Sequence, residues 1–358
     1  MVKRVIVGMS GGVDSSVAAY LLKEQGYEIQ CIFMKNWEDD DDEFYCSSEK
    51  DYNDALQVCD LFNLPLHSVN FSKEYRENVF KYFLEEYKSG RTPNPDVLCN
   101  KEIKFKFFMD HALKLGADAI ATGHYGRINK SPVGFQLLKG VDSNKDQSYF
   151  LYLLGQKELS KTLFPIGEMT KAEVRVLAEK MNLPNSDKKD STGICFIGER
   201  DFKAFLQQYL PALPGNIITT GGKIVGKHDG LMYYTLGQRK GIGVGGGHGT
   251  TEEPWYVVKK DLEKNHLVIC QGHDHPSLYS KNIRAGQLHW ITSAPSIPIE
   301  CAAKIRYRQK DQACTIISIK NRVATIKFNE NQFAPTPGQS IVFYNGDQCL
   351  GGGIIETV

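Results

Sequence analysis

The stretch VGMSGGVDSSVAAYLL, residues 7–22, limits what this chain can fold into more than any other. An apolar run ends in glycines and serines and passes at once into an amphipathic helix pattern. A buried strand that feeds a helix through a tight turn opens a βαβ unit, and its next strand must return parallel after the crossover. The turn also suits an anion. Its glycines let backbone N–H groups converge, the helix N-terminus adds positive potential, and Ser10, Ser15 and Ser16 can add hydroxyl donors. A Walker-type loop would carry a lysine directly after its last glycine. This loop has none, and Asp14 would repel a phosphate unless a cation stood between them, so Mg2+ is expected there. A bare strand–turn–helix without a ligand is the alternative reading.

The alternation continues along the first 200 residues. RVIVGM (4–9), EIQCIFM (28–34), residues 65–71 and DAIATG (118–123) read as strands. Helix patterns lie at 14–25, 52–62, 73–87 and 101–115, and a Thr170/Glu173 capping box opens another at 170–181. The expected fold class is α/β, a doubly wound parallel sheet whose ligand crevice lies beyond the carboxyl ends of the strands. GMSGGVDS and TGHY (122–125) both fall at such ends and could share that crevice. LPALPG (210–215) and GHDHPS (272–277) break the chain, and short alternating β runs follow each break. The expected division is a catalytic α/β domain over 1–205, a small β-rich domain over 206–276 and a C-terminal β-barrel over 277–358.

No apolar run is long enough to span a bilayer, and the first strand begins so early that no leader is expected. A cytoplasmic location is therefore expected, with no membrane partner. Nine cysteines, an odd number without CxxC spacing, fit neither a disulfide framework nor a zinc ribbon. The net charge of +1 names no nucleic-acid partner, but Lys281 to Arg322 holds eight Lys/Arg against two acids, so a basic face can sit at one end.

Four further stretches carry chemistry. In RTPNPDVLCNKEIKF (91–105), prolines stiffen a loop, and Asp96 and Cys99 then precede a basic helix. A helix N-terminus with Lys101 and Lys104 nearby favours a thiolate, and Asp96 could move a proton. A buried structural cysteine is the equal alternative. DSTGICFIGERDF (190–202) puts Cys195 in a loop-like setting where the same two readings stand. DSNKDQSYFLYLL (142–154) offers Lys145 and Gln147 beside an aromatic helix, and YTLGQRKGIGVGGG (234–247) reads as a glycine-rich loop. Its Gly241, Gly243 and Gly246 spell GxGxxG, but no helix pattern follows, which argues against a dinucleotide site. EDDDDEF (38–44) reads as a solvated acidic loop and HDH (273–275) as a turn, so no metal ligands are assigned.

SGGVDS resembles the loop of the ATP pyrophosphatase (PP-loop) superfamily, whose members split ATP between the α and β phosphates and adenylate an oxygen to make it leave. Together, GMSGGVDSS, MKNW, NPDVLCN, ATGHY, KDQSYFL, STGICFIGER, YTLGQRKG and RYRQ are similar, in order and over nearly the whole chain, to the motifs of the bacterial tRNA-specific 2-thiouridylase family. The resemblance implies an adenine nucleotide alpha hydrolase-like catalytic domain and ATP-dependent 2-thiolation of the wobble uridine of a tRNA. It implies that Gly8, Met9, Ser10, Gly11, Gly12, Val13, Asp14, Ser15, Met34 and Gly123 meet ATP. Cys195 would carry a persulfide, with Cys99 the other catalytic thiol, Asp96 a proton carrier and a Cys99–Cys195 disulfide transient. Asn94, Pro95 and Asp96 would meet the target base, and His124, Lys145, Asp146, Gln147, Tyr307, Arg308 and Gln339 the rest of the tRNA. The implied sulfur donor is a cysteine desulfurase or a relay protein. Two rivals remain at this point: a small-molecule synthetase or amidoligase using the same loop, and an ATP-binding RNA chaperone with no covalent chemistry.

Overall fold

The computed structural model describes residues 3–38, 47–190, 202–245 and 253–357. Residues 191–201 with Cys195, the acidic run after Glu38, and Gly246 lie outside the described residues.

Strands β1 (Arg4–Gly8), β2 (Glu28–Lys35), β3 (Leu66–Asn70) and β4 (Ala119–Ala121) pair in parallel, with β1 between β2 and β4. A hairpin, β5 (Gly126–Ser131) and β6 (Gly134–Lys139), follows, and β7 (Thr162–Leu163) closes the sheet beside β4. Both faces of the sheet are covered. Ile6, Ile32 and Ile120 pack into one core, whereas Val5, Val7, Cys31, Phe33 and Ala121 pack into another. This is the period-2 alternation of a doubly wound sheet. Helix α1 (Val13–Glu24) leaves β1 through the glycine turn and buries Val13, Val17, Ala18, Ala19 and Leu22 on the second of these faces. Its C-terminus is closed by Gly26 at φ +82°, a left-handed conformation that a Cβ would strain.

The central region holds β8 (Gly215–Thr219), β9 (Ile224–His228), β10 (Trp255–Asp261) and β11 (His266–Gln271) in the order β10-β11-β8-β9. The C-terminal region is an antiparallel barrel of β12 (Tyr279–Trp290), β13 (Ile299–Lys304), β14 (Gln312–Lys320), β15 (Val323–Phe333), β16 (Ser340–Asn345) and β17 (Gln348–Thr357), closed by the β12–β17 pairing. A simple reading of the first 200 residues as one alternating unit does not disclose the hairpin's role. Its β6 adds to the barrel sheet through Leu137↔Cys349 and Leu138↔Gln348, so the α/β region and the barrel share one sheet.

A buried ion pair strengthens that junction. Asp146 and Lys304 are 4% and 8% exposed, and Lys304 Nζ donates to Asp146 Oδ2 at 3.2 Å. The other carboxylate oxygen accepts from the backbone N–H groups of Gly140 and Ser148. Lys304 also lies over the Tyr344 ring, as does Lys139 from β6. Breaking such a pair strands a buried charge. Lys304→Met should lower unfolding stability by about 3–5 kcal/mol. Adding Asp146→Asn should recover part of the loss, because the amide oxygen can still accept from the backbone. Chemical denaturation of both variants checks this, and no recovery in the double variant would mean that the pair is not the source of the loss.

Candidate active site

The loop between β1 and α1 is built by close approach. Gly11 has φ +71°, and a Cβ there would stand 2.1 Å from the Asp51 carbonyl oxygen. A Cβ on Gly123, just past β4, would stand 2.6 Å from the Asp14 carbonyl carbon and the Ser15 nitrogen. The two motifs at the strand ends therefore meet, at the point where β1 separates β2 from β4, which is where a doubly wound sheet opens its crevice. Gly8 is crowded by Met34 Cε at 3.2 Å from its would-be Cβ. Met9 and Val13 bury their side chains, leaving only backbone to face a ligand. Exposed Ser10 and buried Ser15 share a hydrogen bond (3.1 Å between hydroxyls), and Ser15 and Ser16 each donate to the Gly12 carbonyl at 3.0 Å.

The cation that the loop's own sequence lacks is a lysine supplied from elsewhere. Lys171, first residue of the helix Lys171–Lys180, bonds Asp14 Oδ1 at 2.7 Å and lies 2.7 Å from Asp190 Oδ1. Tyr125 OH also donates to Asp14, at 2.7 Å. Asp190 further pairs with Lys145 and, at 3.2 Å, with Arg175. Burial works to raise the Asp190 pKa, but hydrogen bonds from Lys145 and Lys171 outweigh it and hold the carboxyl at about 2. Asn185 Nδ2 and Lys188 Nζ both donate to the Gly11 carbonyl, at 3.0 and 3.1 Å, and Lys188 joins Asp51 and Asp54. Among the described residues no cluster of three or more His, Cys, Asp and Glu is arranged to hold a metal ion. Lys171, Lys188 and Asn185 were not legible as site residues, the one signal being the Thr170 capping box that puts position 171 at a helix N-terminus; Tyr125 lay within TGHY but had no role assigned.

Asp96 and Cys99 lie three residues apart on a helix running over residues 95–114, so they share a face. The sequence suggested a helix from Lys101. It starts instead at Pro95, which fits N1 because proline has no N–H to lose there. Cys99 therefore lies beyond the first turn and gains less from the helix dipole than expected. From Cys99 to Phe108 the helix is π-wound, a geometry that concentrates at functional sites. Cys99 is 1% exposed, and its neighbour Asn100 donates to the Phe150 carbonyl while its buried Oδ1 has no hydrogen-bond partner among the described residues.

The residues assigned to tRNA by resemblance fall into two groups. Tyr307 packs on Phe150 with ring centroids 4.5 Å apart, and exposed Arg308, at φ +64°, lies over the Tyr307 ring. Asn94 and Pro95 open the helix that carries Asp96 and Cys99, and Lys145 is half-buried on Asp190. The others turn inward. Asp146 is spent in the buried pair with Lys304, Gln147 accepts from the Tyr125 N–H, and Gln339 Nε2 donates to Thr92 and Pro93 carbonyls. His124 is 8% exposed and bonds Thr122. The basic face is also smaller than the sequence count. Lys304 is buried and Arg306 donates to the Ala334 carbonyl, which leaves Lys281, Arg284, Arg308, Lys310, Lys320 and Arg322 exposed.

Burial, and then the nearby Lys104 charge, depress the His124 pKa well below 6.5. Burial lowers His228 and His289 in the same direction. The unfolded chain therefore binds protons before the folded one, so stability is full above about pH 6.5 and declines as pH falls toward the folded pKa values. Melting temperatures taken from about pH 7.5 down to about pH 5 should fall below the ordinary histidine value. His124→Asn keeps a polar atom for Thr122 but cannot titrate, so it should make that fall shallower; an unchanged slope would locate the acid sensitivity elsewhere.

Three family models match in succession: a tRNA methyl transferase HUP domain over residues 3–199, a tRNA methyl transferase PRC-barrel domain over 203–271 and an aminomethyltransferase beta-barrel domain over 280–355. The tRNA-specific 2-thiouridylase MnmA of Nitrosomonas eutropha is 60% identical over 98% of this chain and 98% of its own length. The protein of that name from Pasteurella multocida is 58% identical over 99% of this chain and 93% of its own. Among solved structures, a 4-thiouridine synthetase–RNA complex with bound ATP overlaps 58% of this chain and 50% of that chain, at a TM-score of 0.36 and 17% identity. The domain descriptions speak of methyl transfer and the full-length relatives of thiolation; identity that runs from end to end is the more specific of the two. This chain belongs to the tRNA-specific 2-thiouridylase MnmA family.

Proposed function

We propose that this protein is a tRNA-uridine 2-sulfurtransferase that consumes ATP, and that its target is the wobble uridine. The observation that carries this is identity of 57–60% over 98–99% of the chain with relatives of that name, which spans the phosphate loop, both cysteine motifs and the barrel. The local chemistry supports the same reading. The glycine turn, the hydroxyls of Ser10 and Ser15 and the Lys171 ammonium form a donor set suited to a polyphosphate. Asp14 and Asp190 are the carboxylates that could take Mg2+ carried in with the nucleotide once Lys171 turns to the phosphates.

Uridine O2 is a poor leaving group. It attacks the α-phosphorus of ATP, pyrophosphate departs, and C2 then carries an oxygen that can leave as AMP. The terminal sulfur of a Cys195 persulfide, loaded by a desulfurase or relay protein, supplies the replacing atom. Either it attacks C2 with loss of AMP and Cys99 then attacks Cys195 Sγ, breaking the S–S bond to leave sulfur on C2 and form the Cys99–Cys195 disulfide, or Cys99 attacks the persulfide first, forming the same disulfide and releasing sulfide, which displaces AMP from C2. The disulfide needs two electrons from a cellular thiol reductant before the next turnover, which suits the cytoplasm. Holding sulfur on the protein raises its effective concentration at C2. A wobble base is unpaired and can be turned out into the pocket. Asp96, on the Cys99 face, moves protons. The exposed Arg308 and its basic neighbours meet phosphates.

With persulfide donor, ATP, Mg2+ and unmodified tRNA, the protein should give RNA that is retarded on a mercury-containing gel. Retardation should vanish without ATP, with Cys195→Ser, or when the wobble uridine is replaced. ATP cleaved to AMP with a small acid or amide acceptor, and no thiolated RNA, would favour a synthetase. Lys171→Ala should weaken ATP binding about 10–100-fold by calorimetry, the range for losing a hydrogen bond to a charged group. Unchanged ATP affinity would make Lys171 a structural counter-ion only.

A further inference from the structure

Cys301 and Cys314 face each other across the barrel strands β13 and β14, as direct partners in the register. Their sulfurs are 3.7 Å apart and share a hydrogen bond. Directly opposed residues on antiparallel strands have Cα atoms about 4.5–5.5 Å apart, inside the range of about 4.4–6.8 Å that a disulfide spans. Closing the bond therefore asks the side chains, not the strands, to move. Among the described cysteines, Cys301 is the one that is not buried, whereas Cys314 is 3% exposed. Cys31 and Cys59 also share a hydrogen bond, but both are fully buried, so no reagent reaches them in the folded protein.

The pair divides the chemistry of exchange between its members. The Cys314 thiol hydrogen-bonds to Cys301 Sγ, which holds the Cys301 thiol below its ordinary value against the opposing effect of burial. The same bond, together with burial, pushes the Cys314 thiol up. Cys301 is thus both the reachable sulfur and the one that more readily becomes a thiolate, the two properties an attacking thiol needs. Cys314 stands behind it as the resolving thiol. The place of the pair in the barrel gives it a consequence. Strands β13 and β14 are joined by residues 305–311, which carry Tyr307 and Arg308, and the pair lies across the neck of that loop. Inside the loop, Ile305 N–H donates to Gln309 Oε1 at 2.8 Å, and Arg306 donates outward to the Ala334 carbonyl.

We propose that Cys301 and Cys314 form an oxidation site for small-molecule disulfides, separate from Cys99 and Cys195, and that its closure steadies the loop of Tyr307 and Arg308. The Cys301 thiolate attacks one sulfur of the reagent, forms a mixed disulfide and expels a thiolate that takes up a proton. Cys314 then gives up its proton and attacks Cys301 Sγ, which breaks the mixed disulfide and expels the second thiolate. Two protein thiols are oxidised, and one small disulfide is reduced to two thiols. Such a disulfide is the spent form of the thiol reductant that turnover requires, so the site responds to the pool on which thiolation draws. That link rests on the thiolation reading; the reactivity of the pair does not.

The full-length protein is treated with glutathione disulfide, digested with trypsin without reduction and mapped by mass spectrometry. Cleavage after Lys304 and Lys310 separates the two cysteines, so a bond between them joins two peptides. The expected result is a Cys301–Cys314 link that dithiothreitol removes, with Cys31 and Cys59 still thiols. Cys314→Ser lacks the resolving thiol and should keep one glutathione on Cys301. Cys301→Ser should leave buried Cys314 unmodified. In the oxidised wild-type protein, amide hydrogen exchange over 305–311 should slow by about tenfold or more, since a cross-link at the neck opposes local opening. The same treatment of Cys301→Ser should leave that exchange as it was. Two unmodified thiols, or a lasting glutathione on wild-type Cys301 beside a free Cys314, would overturn the site. A Cys301–Cys314 link with unchanged exchange over 305–311, or equal slowing in Cys301→Ser, would overturn its hold on the loop. Should the wild-type protein thiolate no tRNA, the functional reading fails, while the peptide map and the exchange rates still decide the pair.

Discussion

The backbone contact between Gly123 and the first turn of α1 is the constraint on which the site depends. With 2.6 Å between a would-be Cβ and the helix backbone, no side chain fits at residue 123, and the ends of β1 and β4 are locked at a fixed separation. That separation defines the crevice. It also explains why the flanking positions are polar: Ser10 and Asp14 open onto the crevice, while Met9 and Val13 both turn into one core. A glycine loop of this kind supplies partial charges from N–H groups but no full positive charge. Asp14 makes the deficit worse, and the fold meets it from a distance, with Lys171 brought in by a separate helix 157 residues along the chain.

A lysine placed this way differs physically from one inside the loop. A loop lysine has the anion as its natural partner, whereas Lys171 already has Asp14 and Asp190. An incoming polyphosphate must outcompete two carboxylates, so the cost of separating the pair is subtracted from binding. What is gained is coupling. Asp190 also holds Lys145 and Arg175, so a shift of Lys171 redistributes charge across a cluster that reaches the KDQSYFL segment. The glycine-loop end of the crevice and the segment packed against the barrel thereby share one electrostatic network.

The parallel sheet was legible in the sequence because its strands are short apolar runs buried on two faces, and such runs alternate with helix periods without ambiguity. The capping box at Thr170 was legible for the same local reason, and the structure forms it as expected. Three features were not legible, each because its cause is non-local. The hairpin β5–β6 has a strand pattern, but its partner is β17, more than 200 residues away. The helix that carries Asp96 and Cys99 starts at Pro95 because proline suits a first helical turn, and a loop reading of NPDVLC obscured that. Lys304 and Arg306 count as basic surface in any tally of residues, yet tertiary packing withdraws both, one to a buried carboxylate and one to a backbone carbonyl. Of the candidate site, the loop and the Asp96–Cys99 pair could be read from spacing. The cations that serve the loop could not, since nothing local marks Lys171 or Lys188 as different from other lysines.

The inward-turned residues of the tRNA set point to a common design. Asp146, Gln147 and Gln339 each use their polar groups to hold backbone at a junction between the catalytic region and the barrel. Residues that touch a substrate and residues that hold those residues in place are equally intolerant of change, so a motif alone does not separate them. In this structure the Gln339 amide donates to the Thr92 and Pro93 carbonyls at 2.8 and 3.2 Å, so an RNA group that took this amide would have to replace those bonds. Arg308, exposed, left-handed and stacked on Tyr307, has no such prior commitment to backbone, and the aromatic pair beneath it reaches Phe150, whose carbonyl is bonded by Asn100 beside Cys99. Arg308, Tyr307, Phe150 and Asn100 thus form a continuous chain of contacts from the exposed rim of the barrel to the residue that follows Cys99.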